Sequence, residues 1–121
     1  MTVSIGCLTV DARDCQLLGD FWSQVLGWTI VKSSADGVYL VPAEVVGKDT
    51  AVPGLLLFPS PDVKAGKNRV HLDLRPDDQD AEIARLESLG AMRVDIGQTG
   101  AEPWVVMADP EGNEFCVLAS R

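Results

Sequence analysis

The single histidine of the chain, His71, lies in a segment where residue types alternate strictly. The apolar positions are Val70, Leu72 and Leu74, and the polar or ionisable positions are Arg69, His71, Asp73 and Arg75. Because successive side chains of a strand point to opposite faces, the pattern predicts a strand from Arg69 to Arg75 with one protonatable face. That face can be exposed to solvent, or it can place His71 in a cavity, and the alternation does not decide between these two possibilities.

An imidazole in this position has three chemical roles open to it. His71 can accept or donate a hydrogen bond with Asp73 or Glu114, ligate a divalent metal, or act as a general acid and base. Glu114 can pair with Arg69 or another nearby cation, because an unpaired buried carboxylate is costly.

Elements that would position these residues can be read from the first half of the chain. Val3 to Val10 is typical of a strand, and Asp14 offers an N-cap to a helix that runs to about Leu26. Gly27 follows where a left-handed C-cap is favoured. The remaining predicted elements are strands at Trp28 to Lys32 and Val38 to Val41, a loop at Pro42 to Pro53 and an apolar strand at Gly54 to Phe58.

The same order returns in the second half. After the strand at Arg69 to Arg75, a helix opens at Pro76-Asp77-Asp78 and closes at Gly90. Three strands complete this half, at Met92 to Ile96, Pro103 to Ala108 and Glu114 to Ala119, the last two joined by a turn at Asp109 to Asn113. Pro110 and Gly112 suit that turn, one fixing a negative φ and the other allowing a positive one.

The two halves align with each other. The segment Leu8 to Asp14 matches Leu72 to Asp78 at an offset of 64 residues (72 − 8). We therefore predict an α+β fold for a single domain over 1–121, in which βαβββ modules at about 1–62 and 67–121 form a cupped mixed sheet with the helices outside. A ferredoxin-like fold is the main competitor, but it has fewer strands than the sequence predicts.

Composition excludes several classes of protein. The 121 residues carry a formal net charge of −8, which repels nucleic acid and anionic membranes, and no apolar run is long enough to span a bilayer. The N-terminus lacks the features of a signal peptide, and three cysteines without CxxC spacing indicate free thiols. We expect a cytoplasmic protein.

Three segments, KNRVHLDL, FWSQVLGW and DPEGNEFCVL, together resemble the vicinal oxygen chelate superfamily, in particular its glyoxalase-like and bleomycin-resistance-like members. The resemblance implies paired βαβββ modules around a U-shaped cleft, with metal ligands on the first and last strand of each module. It carries over to His71 and Glu114 in the second module. In the first module, His71 corresponds to Cys7 (71 − 64), and Gly54 to Phe58 offers no His, Asp, Glu or Gln.

The implied cofactor is therefore one divalent metal ion (Zn, Ni, Fe or Mn) held by His71 and Glu114 with Cys7 as a third candidate, or no metal at all. Strand parity supports a shared surface, because Cys7 and His71 fall opposite the apolar positions that would pack on the helices. Further ligand-binding candidates are the polar Arg69 and Asp73 and the apolar Trp104, Met107 and Phe58.

The resemblance, taken with these residues, implies two alternative functions. The first is metal-assisted lyase, isomerase or dioxygenase chemistry on a small oxygen-chelating substrate, with the metal as Lewis acid. The second is metal-free sequestration of a small molecule or antibiotic in an apolar cleft. Either function has a small-molecule ligand as its partner, and we expect a homodimer with an apolar surface at Trp22, Trp28 and Trp104.

Overall fold

The structure is a computed structural model that describes residues 3–48 and 52–120. The chain divides into two compact units, Met1–Val63 and Lys64–Arg121, which we call the first and second units. Each unit contains one α-helix and one four-stranded sheet among the described residues.

The first unit is built from five main elements. They are β1 (Cys7–Ala12), α1 (Cys15–Leu26), β2 (Thr29–Ser34), β3 (Gly37–Val41) and β4 (Gly54–Pro59), with a short 3₁₀ turn at Ala43–Val45. The strand order is β1-β4-β3-β2, in which β1 and β4 are parallel and the other pairs antiparallel.

Helix α1 begins and ends as the sequence predicts. The Asp14 carboxylate accepts the amide of Leu17 at 3.0 Å, and Gly27 adopts a φ of 67° at the C-cap. Gly19 allows the helix to approach β3 closely, because a Cβ at this position would lie 2.6 Å from Cγ1 of Val38. Val38 therefore marks the face of the first sheet that packs on α1.

The second unit repeats the order. Its elements are β5 (Asp73–Leu74), α2 (Gln79–Leu89), β6 (Met92–Arg93), β7 (Val105–Ala108) and β8 (Glu114–Val117). The strand order β5-β8-β7-β6, with β5 and β8 parallel, is the same as in the first unit. Paired βαβββ modules and the α+β class are thus confirmed.

The buried apolar residues of the second unit lie under α2 and along β8. Asp78 caps the helix by accepting the Ala81 amide at 3.0 Å, and Ile83 and Leu86 are buried on one side of it. The hairpin turn depends on Asp109, whose Oδ1 accepts the amides of Glu111 at 2.9 Å and Asn113 at 3.0 Å. This carboxylate is buried, and its hydrogen bonds to Glu111 and Asn113 stabilise the turn.

The predicted strand from Arg69 to Arg75 is mostly wrong, because only Asp73–Leu74 enter the sheet. The side-chain amide of Asn68 donates to the carbonyl of Val70 at 3.2 Å, which removes that carbonyl from a strand ladder. Val70 is 79% exposed, so it does not pack toward a helix as the alternation predicted.

Other boundaries also shift for local reasons. The first strand begins at Cys7 rather than Val3, because its partner Gly54 is preceded by Pro53, which has no N–H for a ladder. The strand predicted at Met92 to Ile96 stops at Arg93, since Gln98 bonds the Ile96 amide at 2.8 Å and the Val94 carbonyl at 2.7 Å.

The last two predicted strands are shorter than expected, at Val105–Ala108 and Glu114–Val117. The predicted loop at Pro42 to Pro53 contains the 3₁₀ turn, and its residues 49–51 lie outside the described residues. Neither helix in the described part of the chain has the length and apolar character needed to cross a bilayer.

Candidate functional site

The register of the second sheet places several polar side chains on one face. Asp73 pairs with Cys116 across β5 and β8, and Glu114 pairs with Ala108 across β7 and β8. Because side chains alternate along a strand, Glu114 and Cys116 point to the face opposite Phe115 and Val117.

His71 reaches this face just before β5 begins. Its Nδ1 lies 3.0 Å from Oδ1 of Asp73, and both side chains are about half exposed. Cys116 completes the group: one donor atom from each of His71, Asp73 and Cys116 lies within 4.8 Å of the other two. We call these residues the His71 cluster. Since a carboxylate only accepts, the proton of a neutral imidazole sits on Nδ1 here, which leaves Nε2 as the free nitrogen.

The thiol of the His71 cluster is held in its neutral form. Burial raises the pKa of Cys116, and the negative charge and hydrogen bond of Asp73 raise it further, against a smaller opposing effect of Lys67. A free thiol with a raised pKa is a weak nucleophile at neutral pH. Nucleophilic catalysis by Cys116 is therefore disfavoured.

Glu114 is engaged elsewhere. Its carboxylate is 9% exposed, with Oε2 2.5 Å from Nζ of Lys64 and Oε1 accepting the backbone amide of Asn68 at 3.0 Å. The side-chain oxygen of Asn68 in turn accepts the Glu114 amide at 3.4 Å. Burial acts to raise the pKa of Glu114, but the hydrogen bonds and charge of Lys64 and Asn68 outweigh it, so the pKa lies below its ordinary value.

These contacts bear on the predicted metal ligands. Both oxygens of Glu114 anchor the segment that leads to His71, and among the described residues Glu114 does not join the His71 cluster. Shared metal ligation by His71 and Glu114 stays a prediction. The contacts match the alternative in which each residue pairs with another side chain. His71 pairs with Asp73, and Glu114 pairs with the cation Lys64, not with Arg69.

The first unit presents a different surface. Strand register places Cys7, Leu56 and Phe58 with Tyr39 on the face of the sheet opposite Val38 and hence away from α1. We call this the open face. Cys7 is exposed and Phe58 is 48% exposed, so both predicted residues are accessible there.

A cavity of about 440 Å³ lies at one end of this open face. Its accessible lining is more polar than apolar, with a phenol, a hydroxyl, an ammonium and backbone groups beside aliphatic side chains. The lining residues are Ser4, Ile5, Gly6, Tyr39, Val41, Val45, Lys48, Val52 and Gly54.

The other predicted ligand-binding residues are scattered. Trp104 is 42% exposed, whereas Met107 has no accessible surface, so only the former can contact a ligand in this structure. Arg69 is exposed. Trp22 is wrong as a surface residue: it is 4% exposed and packs edge-on against Phe21, with ring centroids 5.2 Å apart. The homodimer stays a prediction.

Sequence reasoning missed the residues that shape both regions. Neither Lys64 nor Asn68 is among the predicted site residues, although a buried Glu114 implies some cation nearby. Tyr39 and Lys48 in the first unit were not singled out. The one available signal was Tyr39 itself, the only tyrosine in the chain, at a polar-capable position within an apolar strand.

Comparison with known families gives a match to the glyoxalase-like domain model over residues 7–118. A search among curated proteins returned no match.

Similar solved structures share the fold at low sequence identity. A glyoxalase/bleomycin resistance protein/dioxygenase family enzyme from Burkholderia phytofirmans PsJN has a TM-score of 0.71 at 17% identity, covering 95% of this chain and 97% of its own. A mutant of the fosfomycin resistance protein FosX from Listeria monocytogenes, complexed with Mn(II) and 1S,2S-dihydroxypropylphosphonic acid, has a TM-score of 0.72 at 13% identity, with coverages of 100% and 93%. TnmS3, an antibiotic binding protein from Streptomyces sp. CB03234, has a TM-score of 0.64 at 22% identity, with coverages of 100% and 99%.

Proposed function

The chain belongs to the glyoxalase-like domain family, and from that premise we propose that it binds a small organic molecule in the cavity of the first unit. The observation that carries the proposal is the cavity itself. Its volume of about 440 Å³ lies within the range of small-molecule sites, roughly 300 to 1,000 Å³. The aliphatic side chains of Ile5, Val41 and Val45 and the polar groups of Ser4, Tyr39 and Lys48 are available to contact such a ligand.

Similarity of fold supports this class of function. The antibiotic binding protein TnmS3 and the FosX complex with a phosphonic acid both hold small molecules on the same fold. For this chain, the ligand is a small molecule of a size that fits the first-unit cavity.

Binding in the first unit does not call for a metal at His71 and Glu114. A metal at that pair would have to displace Lys64 and the Asn68 amide from both oxygens of a buried carboxylate. Such a displacement would leave an ammonium and an amide without their partner, which is unfavourable. Glu114 therefore does not fit the metal site that the family resemblance implies.

A second candidate function, metal-assisted chemistry, is favoured by the His71 cluster. Nitrogen, oxygen and sulfur donors within 4.8 Å of one another suit a divalent metal such as zinc, for which three protein ligands are common at catalytic sites. Bound there, the metal would supply a Lewis acid. Asp73 orients the imidazole through Nδ1 and so presents Nε2 as the ligating nitrogen.

The test is ligand binding by chelator-treated protein. We expect a panel of small aromatic and aliphatic compounds to yield binders by isothermal titration, and Val45→Trp, which fills the cavity, to abolish that binding. Val63→Trp is the matched control, since Val63 is 67% exposed and lies outside the lining. Binding that survives Val45→Trp, or that appears only after metal is restored, would contradict the proposal.

A further inference from the structure

We propose that Lys64 is a built-in substitute for a metal ion at Glu114, and that its ammonium fills an oxygen-lined position that accepts a hard divalent cation once the lysine is removed. The family resemblance implies a metal ligand at Glu114, whereas the contacts of this carboxylate show a different cation there. This role belongs to the second unit and is separate from small-molecule binding in the first.

The negative charge of Glu114 is balanced by one ammonium. Oε2 of the carboxylate is buried and lies 2.5 Å from Nζ of Lys64, which is the one partner of this oxygen in the described part of the chain. Oε1 accepts the amide of Asn68 at 3.0 Å, and that donor carries no net charge. Because a buried carboxylate without a counter-charge is strongly unfavourable, the carboxylate depends on Lys64.

The Lys64 ammonium meets oxygen from two segments of the chain. It contacts the carboxylate of Glu114 at the start of β8, and it also donates to the backbone carbonyl of Gly66. A carboxylate oxygen and a carbonyl oxygen are the donors that Mg²⁺, Ca²⁺ and Mn²⁺ prefer, with water completing their coordination. The position therefore has the chemistry of a cation site, and the chain itself supplies the cation.

The tethered ammonium keeps dissolved ions away from this position. The Lys64 side chain is 21% exposed, and its stem lies beside the hairpin turn, where Cδ would be 3.7 Å from a Cβ at Gly112. Burial acts to raise the pKa of Glu114, but the hydrogen bond and charge of Lys64 help to hold it below its ordinary value. A free divalent ion would have to displace a positive charge that already neutralises the same oxygen.

Mn²⁺ is the probe that distinguishes this position from the His71 cluster. Mn²⁺ favours carboxylate, carbonyl and water ligands, whereas the His71 cluster includes a thiol, which suits softer ions. Dependence of Mn²⁺ binding on Glu114 then identifies the position directly, because Glu114 is not a member of that cluster.

The experiment measures Mn²⁺ binding to chelator-treated protein by electron paramagnetic resonance. We expect wild type and Glu114→Gln to bind Mn²⁺ equally weakly. Lys64→Ala should bind it at least about tenfold more tightly than wild type, because the ion relieves a buried carboxylate that has lost its partner. The double variant Lys64→Ala/Glu114→Gln should return to the affinity of wild type.

Two further variants serve as controls. Lys64→Arg keeps a cation beside Glu114 and should bind Mn²⁺ as weakly as wild type. Lys67→Ala removes the same charge from an exposed lysine three residues away, and it should also leave the affinity at the wild-type level. An equal gain in Lys64→Ala and Lys67→Ala would assign the effect to net charge and overturn the proposal.

The remaining outcomes also decide the matter. Weaker Mn²⁺ binding in Glu114→Gln than in wild type, or a gain in Lys64→Ala that persists in the double variant, would overturn the proposal. So would folded Lys64→Ala with the affinity of wild type. If Lys64→Ala unfolds in chelator, excess Mn²⁺ should restore its far-UV circular dichroism, and protein that stays unfolded would contradict the substitution. None of these results bears on binding in the first unit.

Discussion

The two units share one strand order but differ in what they place on equivalent strands. In the first unit, β1 and β4 are each six residues long, and β4 offers only glycine, leucine, phenylalanine and proline side chains. In the second unit, the equivalent β5 and β8 are two and four residues long; Asp73 lies opposite Cys116, and Glu114 begins β8. The repeat therefore preserves the scaffold while placing apolar side chains on β4 of one unit and titratable side chains on β5 and β8 of the other.

The difference follows from how each unit satisfies its backbone. In the first unit, the strand residues Tyr39, Val41 and Gly54 line the cavity together with residues from the segments outside the strands. In the second unit, side chains such as Asn68 and Gln98 bond the backbone directly and shorten the strands. The polar side chains of Asn68 and Gln98 therefore stabilise loops through hydrogen bonds to the backbone and are not free to contact a ligand.

The largest expected effect concerns the metal capacity of the second unit. If the His71 cluster binds a divalent ion, Co²⁺ added to the protein should give a thiolate-to-metal absorption band. Cys116→Ser should abolish that band and lower Co²⁺ affinity by at least about 100-fold, because a ligand is lost. Cys7→Ser is the control and should leave the band unchanged. A band that disappears in Cys7→Ser instead would move the metal capacity to the first unit and break the comparison.

The next effect concerns the glycine beneath Tyr39. Gly54→Ala should lower the free energy of unfolding by about 2 to 3 kcal/mol, because the added Cβ would clash with the Tyr39 hydroxyl and the rigid ring cannot move away without disturbing β3. Gly6→Ala, at a cavity residue where a Cβ would meet nothing within 4 Å, should be nearly neutral. Urea denaturation of both variants measures the difference. Equal stabilities would show that the Tyr39 ring can move away from residue 54 at no cost in stability.

A smaller loss is expected in the second unit. Glu114→Gln keeps an acceptor for the Asn68 amide but removes the charge opposite Lys64, so the free energy of unfolding should fall by about 1 to 2 kcal/mol. Urea denaturation at neutral pH provides the measurement. An unchanged stability would show that the ion pair does not hold the segment that leads to His71.

The smallest effect is the pH dependence of that loss. The pKa of Glu114 lies below its ordinary value of 4.5, so the stability it adds is complete above that pH and disappears as the pH falls through the lower value of the folded state. The gap between wild type and Glu114→Gln should therefore narrow from pH 6 to pH 3. Hydrogen bonds from the Thr99 segment also lower the pKa of Glu102, which forms no ion pair among the described residues, so Glu102→Gln serves as a comparison and should change the acid slope less. A gap that stays constant with pH would contradict the ion pair.

The scaffold was predictable because its signals are local. Asp14 and Asp78 cap the starts of α1 and α2 through amides three residues further on. Gly27 and Gly90 end the same helices in a left-handed conformation. The offset of 64 residues then placed equivalent strands in both halves and so predicted the topology.

The site was less predictable because its contacts join distant residues through side chains. The ion pair of Lys64 and Glu114 spans 50 positions (114 − 64), and nothing near either residue indicates it. Alternation correctly brought His71 near Asp73, but it could not reveal that the Asn68 side chain donates to the Val70 carbonyl and that the strand begins only at Asp73. Period-two patterns report which face a residue prefers, not whether a partner strand reaches it.

The most direct test of the division between units is ¹⁵N–¹H chemical-shift mapping of chelator-treated protein titrated with 2-naphthoate. We expect the amides of Gly6 and Gly54 in the first-unit cavity to shift, while those of Asn68 and Cys116 in the second unit stay in place. Shifts concentrated at Asn68 and Cys116, with Gly6 and Gly54 unmoved, would contradict the account.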